Sequence, residues 1–343
     1  MKALNLYGVG DLRYDEVPKP KTKTDEVLLK IKAVGICGSD IPRIFEKGTY
    51  NFPTIPGHEF AGEIIDAEDA KLIGRGAAVF PLIPCGKCTA CRSERYAQCC
   101  NYNYYGSRCD GAMSEYLAVR VKNLALMPSN ISYEAAAMCE PASVALHAIK
   151  KSGIKAGKSL LIWGIGPIAL IAAQWARSFG VENIILAGRS AAKATLAGKV
   201  GFSKVINIQN EDAQDFIMQE TKGQGVDACI EGTGNSEALE QCLYSVKNFG
   251  IVVAMGNPTG DIRLSQDAYW KILRKEVSVT GTWNSSFSHS ENDWHEALEA
   301  MEDGRISVEM LISHKFNFKE FKQAFSLMHE KKESYCKVMF IDK

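Results

Sequence analysis

The sequence predicts an α/β protein in which a β-rich domain accompanies a doubly wound parallel sheet of six strands. The chain has 343 residues, which is enough for two domains of about 150 residues each. Short β-type runs separated by Gly, Pro and charged clusters fill the first part of the chain. Apolar strand-like runs then alternate with helical segments, as in parallel sheets whose strands are buried on both faces.

The predicted strands fall into two groups that differ in pattern. Those of the β-rich part cover 26–36, 59–67, 77–83 and 114–121 and predict a mostly antiparallel domain. Those of the parallel sheet cover 159–164, 183–188, 204–208, 226–232, 250–256 and 277–282. The tail predicts helices near 291–303 and 318–331, followed by a last strand in CKVMFID.

The charge balance and the apolar runs exclude several classes of protein. Lys and Arg number 40, and Asp and Glu also number 40, so no basic excess exists to bind a nucleic-acid backbone. The longest apolar stretch, 160–173, is shorter than the roughly 20 residues that span a bilayer. The N-terminus becomes charged before a signal-peptide core can form. We therefore expect a cytoplasmic protein whose partner is a small molecule, with no nucleic acid and no membrane.

Four of the eleven cysteines form a close cluster. The chain is long, its cysteine count is odd and it shows no export signal, so the CxxC spacing favours a metal over disulfides. Four thiolates within 15 residues can form the closed tetrahedral shell of a structural zinc, although four free cysteines on a polar loop would give the same pattern. The four are Cys85, Cys88, Cys91 and Cys99. The other cysteines outside the motifs are interpreted as packing residues: Cys100, Cys109, Cys139, Cys229, Cys242 and Cys336.

A second candidate metal site is scattered along the chain. Cys37 begins CGSD, His58 and Glu59 lie in PGHEF, and Glu140 lies in CEP. One thiolate, one imidazole and one or two carboxylates leave a position for water or substrate, as a catalytic zinc requires. From the residues alone, a histidine in a turn and a cysteine packed in the core remain the alternative.

A glycine-rich turn follows the first apolar run of the parallel sheet. It comprises Gly164, Ile165, Gly166, Pro167 and Ile168, with the small Ala169 next. A strand, a GxGxxA turn and a helix predict dinucleotide binding, because the glycines let a pyrophosphate approach the free N–H groups of the helix N-terminus.

The end of the second strand of this sheet favours NADP over NAD. An acidic residue there usually binds the ribose 2′-hydroxyl of NAD, but this strand ends in Gly188, Arg189 and Ser190, with Lys193 one turn later. Arg189 can bind a 2′-phosphate bidentately, and Ser190 and Lys193 can assist. Alternatively, Arg189 stacks on adenine or faces solvent and NAD binds without an acidic anchor. The predicted cofactor set is completed by residues that follow later strands, namely Thr233, Gly256 and Thr282.

These motifs, in this order, resemble those of the zinc-dependent medium-chain dehydrogenases over the full length of the chain. The resemblance implies a GroES-like catalytic domain from 1–144 and 285–343, a Rossmann dinucleotide-binding domain from 145–284, and a homodimer or homotetramer. Within the family, the segments CGSDIPRIFEKGTYNFPTIPGHEFAG, YYGSRCDG, ILRKE and GTWNSS resemble the polyol dehydrogenase branch.

The resemblance also implies roles for individual residues. Cys37, His58 and Glu140 would hold the catalytic zinc, with Glu59 as an alternate or water-linked ligand. Asp40 would orient His58 through its other ring nitrogen, and Ser39 would relay the proton of the substrate hydroxyl. Many relatives carry a relay histidine three residues after Ser39, where this chain has Pro42.

The expected reaction interconverts a polyol and a ketose by hydride transfer with NAD(P). A sugar-alcohol phosphate such as galactitol 1-phosphate is the favoured substrate. Arg43 and Arg108 are the candidate phosphate ligands, and Asn284 and Ser285 are candidates for the sugar hydroxyls. A sorbitol- or xylitol-type, secondary-alcohol or threonine dehydrogenase is the alternative, and a zinc-loop scaffold or a zinc hydrolase is the alternative from another class.

Overall fold

The computed structural model describes residues 1–258 and 260–342. This part of the chain divides into two compact units. The first comprises Met1–Ser143, Ser286–Gly304 and Val308–Lys343, and the second comprises Val144–Ser285 and Arg305–Ser307. The expected boundaries at 144/145 and 284/285 differ from this division by one residue, and 305–307 group with the second unit although we assigned them to the tail.

Strands are numbered in chain order. They are β1 (Lys2–Gly8), β2 (Asp11–Glu16), β3 (Glu26–Ile36), β4 (Glu59–Asp66), β5 (Gly76–Val79), β6 (Leu82–Ile83), β7 (Asn103–Tyr104), β8 (Tyr116–Arg120), β9 (Leu124–Leu126), β10 (Ser159–Trp163), β11 (Asn183–Gly188), β12 (Val205–Asn207), β13 (Val226–Glu231), β14 (Val246–Ala254), β15 (Ser278–Gly281), β16 (Ile312–Phe316) and β17 (Lys337–Ile341).

The α-helices are α1 (Asp40–Pro42), α2 (Thr89–Arg92), α3 (Tyr133–Ala137), α4 (Cys139–Ser152), α5 (Pro167–Ser178), α6 (Ala191–Lys199), α7 (Ala213–Glu220), α8 (Ser236–Ser245), α9 (Gln266–Lys275), α10 (Asp293–Glu302) and α11 (Phe321–Glu330). Arg43–Lys47 forms a π-helical turn after α1, and short 3₁₀ turns lie at Ala70–Leu72, Tyr96–Gln98, Val121–Asn123, Glu309–Leu311 and Phe318–Glu320.

The first unit is built on a mainly antiparallel sheet in the order β16-β17-β3-β4-β5-β9, with β8 also pairing β3. The 11 residues of β3 are mostly apolar and mostly buried, as expected of a central strand. The last strand of the chain, β17, pairs antiparallel with β3, so the tail contributes to the sheet that the N-terminal segment begins.

The second unit is a parallel sheet in the order β12-β11-β10-β13-β14-β15. The strand order reverses next to β10, as in doubly wound dinucleotide-binding sheets. Nearly continuous apolar strands such as β11 are buried along almost their whole length between helices. This topology confirms the predicted fold class.

Several elements of the first unit were not predicted from the sequence, among them a hairpin and the strand β16. The hairpin β1–β2 mixes charged and apolar residues, and β16 alternates polar with apolar positions and pairs parallel with β17. In 1–258 and 260–342, none of the helices is long and apolar enough to cross a membrane.

Candidate zinc and nucleotide sites

Three neighbouring strands of the first unit bring the candidate catalytic residues together. Cys37 directly follows the central strand β3. His58 directly precedes β4, whose first residue Glu59 pairs with Gly35 of β3. On the other side of β3, β17 begins at Lys337. Because these strands are antiparallel to β3, their starts lie beside its end, and residues 300 positions apart become neighbours.

Cys37, His58 and Glu59 form a group that could hold a metal ion. One ligand atom from each lies within 4.8 Å of the others. The resemblance favours Glu140 as the ligand and Glu59 as the alternate. In the structure, Glu59 is the carboxylate within reach of both Cys37 and His58, while Glu140 does not join that group among the described residues. Glu140 nevertheless lies near this group. Its charge affects the pKa of Tyr104, and the charges of Glu59 and His58 affect the pKa of Glu140.

Glu59 has a buried partner that the sequence analysis missed. The ammonium group of Lys337 donates a hydrogen bond to Glu59 Oε2, and the exposed fractions of the two side chains are 4% and 2%. Burial lowers the pKa of Lys337, but the negative charges of Glu59 and Cys37 outweigh it and raise that pKa. No motif marks this lysine, because only the pairing of β17 with β3 brings it to the site.

Asp40 lies beside His58, as expected. Its Oδ1 is 3.4 Å from His58 Nδ1. This close charge contact is not aligned as a hydrogen bond, since Nδ1 has no hydrogen-bond partner among the residues that the structure describes. Its Oδ2 accepts a hydrogen bond from the Cys37 amide at 3.0 Å. Burial lowers the pKa of His58, but the negative charges of Asp40 and Cys37 hold that pKa well above 6.5.

The cluster carries more negative than positive charge when its acidic groups are ionised. When His58 is neutral, as a metal-bound imidazole is, two cations face four acidic groups. The cations are Arg43 and Lys337, and the acids are Cys37, Asp40, Glu59 and Glu140. Burial raises the pKa of Glu140 to about 7, and the charge of Glu59 adds to this effect. A divalent cation would neutralise this excess, and a thiolate, an imidazole and a carboxylate are ligands of zinc. The donor set therefore fits zinc.

Ser39 and Arg43 extend the cluster. Ser39 Oγ donates a hydrogen bond to Cys37 Sγ at 3.2 Å and accepts one from Arg43 Nη1 at 3.0 Å. Arg43 also approaches Asp40 Oδ1 at 3.4 Å, and 31% of its side chain is exposed. The arginine is therefore tied to the predicted relay serine and keeps part of its guanidinium accessible. Pro42 lies between them on the short helix α1 and offers no group for proton transfer.

Tyr104 is a second site residue that the sequence analysis did not single out. Its ring contacts His58 edge-on, with the ring centroids 5.7 Å apart. Burial raises the pKa of Tyr104 well above its usual value, and the negative charges of Glu140 and Cys37 add to this effect. The tyrosine-rich stretch 102–105 was the available signal, but it does not say which ring faces the site.

The other candidate substrate residues have different surroundings. The guanidinium of Arg108 lies 4.1 Å from the ring centroid of Tyr50 and 4.3 Å from that of Tyr102. Asn284 and Ser285 belong to the second unit. Ser285 is buried, and its hydroxyl lies 3.4 Å from Asn284 Oδ1. Of the four candidates, Arg43 is the one in polar contact with Ser39 and Asp40.

The four-cysteine cluster has the geometry of a tetrahedral thiolate site. Its Sγ atoms lie within 4.8 Å of one another, and three pairs are separated by 3.9, 3.5 and 3.9 Å. Zinc–sulfur bonds of about 2.3 Å require a sulfur–sulfur edge of about 3.8 Å in a tetrahedron. Hydrogen bonds from the backbone amides of Cys100 and Cys91 lower the pKa of Cys88 to about 6, which favours a thiolate there. The cluster therefore fits a zinc ion.

The predicted nucleotide residues lie at the carboxyl ends of the strands in the second unit. Gly164 follows β10 with φ +117°, a conformation that side-chain-bearing residues rarely adopt. Gly166 caps α5, and Pro167 occupies its first turn. Thr233, Gly256 and Thr282 follow β13, β14 and β15. In parallel sheets this edge, at the point where strand order reverses, is where dinucleotides bind.

Gly188 and Arg189 bear on the choice of nucleotide. A Cβ atom at Gly188 would lie 2.7 Å from Ile165 Cγ1, so a carboxylate side chain could not occupy this position unless Ile165 moved. Arg189 is exposed, and no ion pair or hydrogen bond of its guanidinium occurs within the described residues. Ser190 caps α6 by accepting a hydrogen bond from the Lys193 amide at 3.3 Å. The strand end therefore presents a cation and no acid.

A buried glutamate that the sequence analysis missed shapes the turn after β13. The carboxylate of Glu231 accepts hydrogen bonds from the amide and hydroxyl of Thr233, both at 2.6 Å, and from the Gly234 amide. These bonds fix the turn in which Thr233 approaches Gly164. After β15, two strands away in the sheet, the hydroxyl of Thr282 is buried and has no partner within the described part of the chain, which is the state expected of a group that awaits a ligand.

Comparison with known proteins gives matches over both units. The alcohol dehydrogenase GroES-like domain family matches residues 23–129, and the zinc-binding dehydrogenase family matches residues 167–303. Sorbitol dehydrogenase of Bacillus subtilis is 31% identical, with 99% of this chain and 96% of that protein covered. Galactitol 1-phosphate 5-dehydrogenase of Escherichia coli K12 is 33% identical, with 92% of each covered.

Solved structures share the fold along the whole chain. The galactitol-1-phosphate dehydrogenase of Escherichia coli superimposes with a TM-score of 0.93 at 31% identity and full coverage of both chains. A putative zinc-binding dehydrogenase of Sinorhizobium meliloti 1021 bound to NADP gives 0.90 at 29% identity, with 99% of each chain covered. An alcohol dehydrogenase of Escherichia coli CFT073 with NADH gives 0.90 at 26% identity, with 100% and 99% covered.

Proposed function

Since the chain belongs to the zinc-dependent medium-chain dehydrogenases and is a polyol or alcohol dehydrogenase of that family, we propose that it oxidises a sugar-alcohol phosphate to the ketose phosphate with NADP⁺. Galactitol 1-phosphate is the leading candidate. The observation that carries the proposal is the contact of Arg43, a partly exposed cation, with the predicted relay serine. This contact puts a phosphate-binding group next to the reacting centre, where an unphosphorylated polyol would not need one.

Cys37, His58 and Glu59 would hold the catalytic zinc, with Glu140 as the exchanging carboxylate, and Cys85, Cys88, Cys91 and Cys99 would hold a structural zinc. The catalytic zinc would supply a Lewis acid that lowers the pKa of the substrate hydroxyl. Lys337 holds Glu59 through a buried ion pair. This lysine would keep the carboxylate ionised and in place as a metal ligand.

Ser39 would receive the proton of the substrate hydroxyl. Its Oγ is a donor to Cys37 Sγ, and exchange of that bond for one with the substrate would orient the serine for relay. Arg43 cannot accept the proton, because a guanidinium stays charged in proteins. With Pro42 in place of a relay histidine, the proton would pass from Ser39 to solvent without a histidine.

Nicotinamide would accept the hydride, and this chain would contribute orientation and exclusion of water. The preference for NADP rests on the exposed guanidinium of Arg189 together with Gly188, where Ile165 occupies the space of a side chain. Gly164, Ile165, Gly166, Pro167 and Ile168 would bind the pyrophosphate.

A panel of phosphorylated and free sugar alcohols, assayed with NADP⁺ and NAD⁺ in parallel, tests the proposal. We expect the highest kcat/KM with a sugar-alcohol phosphate and NADP⁺. Arg43→Ala would lower kcat for phosphorylated and free substrates alike, because Ser39 loses its partner, and would raise KM only for the phosphorylated ones. An enzyme that prefers the free polyol, or a KM that rises equally for both, would overturn the phosphate assignment and leave a sorbitol-type enzyme.

The same family context suggests a homodimer or homotetramer. In the described residues, β15 pairs on one side only, and it forms an edge of the parallel sheet. Trp270, Leu273 and Val279 are 41%, 49% and 47% exposed on α9 and β15. An unpaired edge next to exposed apolar side chains is a self-association surface. Light scattering of the wild type and Val279→Lys would test this, and a wild-type monomer would refute it.

A further inference from the structure

The ring of Tyr104 is fixed at the candidate zinc site by its backbone. Tyr104 lies on β7, which pairs with β6. Its carbonyl accepts hydrogen bonds from the amides of Ser107, Arg108 and Cys109 at 3.3, 2.9 and 3.2 Å. Its ring meets His58 edge-on. The side chain is therefore presented to the site from a rigid support, as a selective binding group requires.

The hydroxyl of Tyr104 has charged neighbours from four different segments. The groups that act on it electrostatically, in decreasing order, are Glu140, Cys37, Arg43 and Glu59. They belong to α4, the segment after β3, the π-helical turn and β4. The Tyr104 side chain therefore lies within electrostatic range of the residues that would hold the zinc.

This hydroxyl is polar and unpaired. Tyr104 is partly exposed, and its Oη makes no hydrogen bond within the described part of the chain. The fully buried polar atoms without a partner do not include Oη. This atom is therefore accessible to solvent. A phenol is both a donor and an acceptor and is protonated at neutral pH. The site therefore presents a fixed, unsatisfied hydroxyl near the residues that would hold the zinc.

We infer that the Tyr104 hydroxyl binds the hydroxyl group next to the reacting carbon of the substrate and so selects polyols over simple secondary alcohols. The reacting oxygen itself already has a proton acceptor in Ser39. A polyol brings a second oxygen within one carbon of the reaction, and this oxygen needs a partner when it leaves water. A site that provides such a partner discriminates against analogues that lack the hydroxyl.

This inference rests on the proposed polyol oxidation and deepens it. The variant Tyr104→Phe keeps the ring against His58 and removes only the hydroxyl. Its matched control is Tyr102→Phe, which removes a hydroxyl two residues away and leaves the ring that stacks on Arg108. Each protein is assayed on butane-2,3-diol and on butan-2-ol, which differ by the one neighbouring hydroxyl, and on the best polyol of the panel.

For Tyr104→Phe we expect kcat/KM to fall roughly threefold to tenfold on the diol and on the polyol, because one hydrogen bond to the substrate is lost. KM should change more than kcat. On butan-2-ol the value should stay within twofold, as it should for Tyr102→Phe on every substrate. Zinc content and the thermal midpoint should match the wild type, which distinguishes substrate binding from damage to His58.

Two results would overturn the inference. One is an equal loss on the diol and on butan-2-ol, which would give Tyr104 a role in holding His58 only. The other is no loss on either. A wild type that oxidises butan-2-ol as well as any polyol would refute the polyol proposal itself, and it would do so without the variant, so the two failures are distinguishable.

Discussion

Arg189→Ala tests the nucleotide preference directly. The guanidinium of Arg189 is exposed and has no partner within the described residues, so it gives up no internal contact when it binds a 2′-phosphate. A charge-assisted hydrogen bond contributes about 1.5–3 kcal/mol. At 1.36 kcal/mol for each factor of ten, its loss should lower kcat/KM for NADP⁺ by about 10- to 150-fold. The value for NAD⁺ should change less than twofold.

The assay is initial-rate kinetics with each nucleotide at a saturating concentration of the best polyol. Arg263→Ala is the control, because Arg263 is another exposed arginine of the same unit, and its guanidinium pairs with the exposed carboxylate of Asp261. The effect at Arg189 should shrink as salt is raised, since exposed charges are screened beyond about 10 Å at 0.1 M. An equal decrease for both nucleotides would refute the reasoning, as would a wild type with equal dissociation constants for NAD and NADP.

Three further predictions concern metal content and stability. Cys88→Ser should lose one zinc per chain, as measured by native mass spectrometry, and should have a lower thermal midpoint than the wild type. Cys100 is an exposed neighbour, and Cys100→Ser should keep the metal. Retention of both zinc ions by Cys88→Ser would disprove the four-cysteine site. In metal-free protein, Lys337→Met leaves the buried carboxylate of Glu59 unpaired and should destabilise the fold by about 3–5 kcal/mol. Lys315→Met breaks an exposed pair and should cost less than about 1 kcal/mol, so similar thermal midpoints for the two variants would contradict this. Despite burial, hydrogen bonds from Lys247 and Ser159 lower the pKa of Asp227 to about 2, so the ionised carboxylate stabilises the fold above pH ~4 and this stabilisation is lost as the pH falls through about 2. Asp227→Asn should therefore lower the free energy of unfolding by about 2 kcal/mol at pH 7. A deficit of the same size at pH 2 would show that the ionisation of Asp227 is not its cause.

The parallel sheet could be predicted almost strand by strand, because its inner strands carry nearly continuous apolar runs. The run 183–188 is β11, residue for residue. The hairpin β1–β2 could not be found in this way, since β2 has no buried residues and its sequence, DLRYDE, has no continuous apolar run. β16 is stabilised by pairing with β17, which depends on the tertiary fold and not on local composition.

The metal-ligating residue types could be predicted from motif spacing, but the partners that hold them could not. Thiolate, imidazole and carboxylate side chains are recognisable as metal ligands from their residue type and spacing. Lys337 does not, because a lysine near the end of a chain is ordinarily exposed. The placement of Glu59 closer than Glu140 to both Cys37 and His58 follows from strand pairing around β3. The spacing of residues along the sequence does not show which strands pair.

The pairing of β17 with β3 has a consequence for the order in which the protein is made. Lys337 reaches back 301 positions to the carbonyl of Ile36, and β17 lies between β3 and β16 in the sheet. On the ribosome, every strand of the parallel sheet emerges before β17 does. The second unit can therefore fold while the first still lacks an inner strand, and Glu59 remains without its buried cation until β17 has been synthesised. Catalytic competence should thus appear in a single late step, and a nascent chain stalled before residue 337 should bind nucleotide but turn over no substrate.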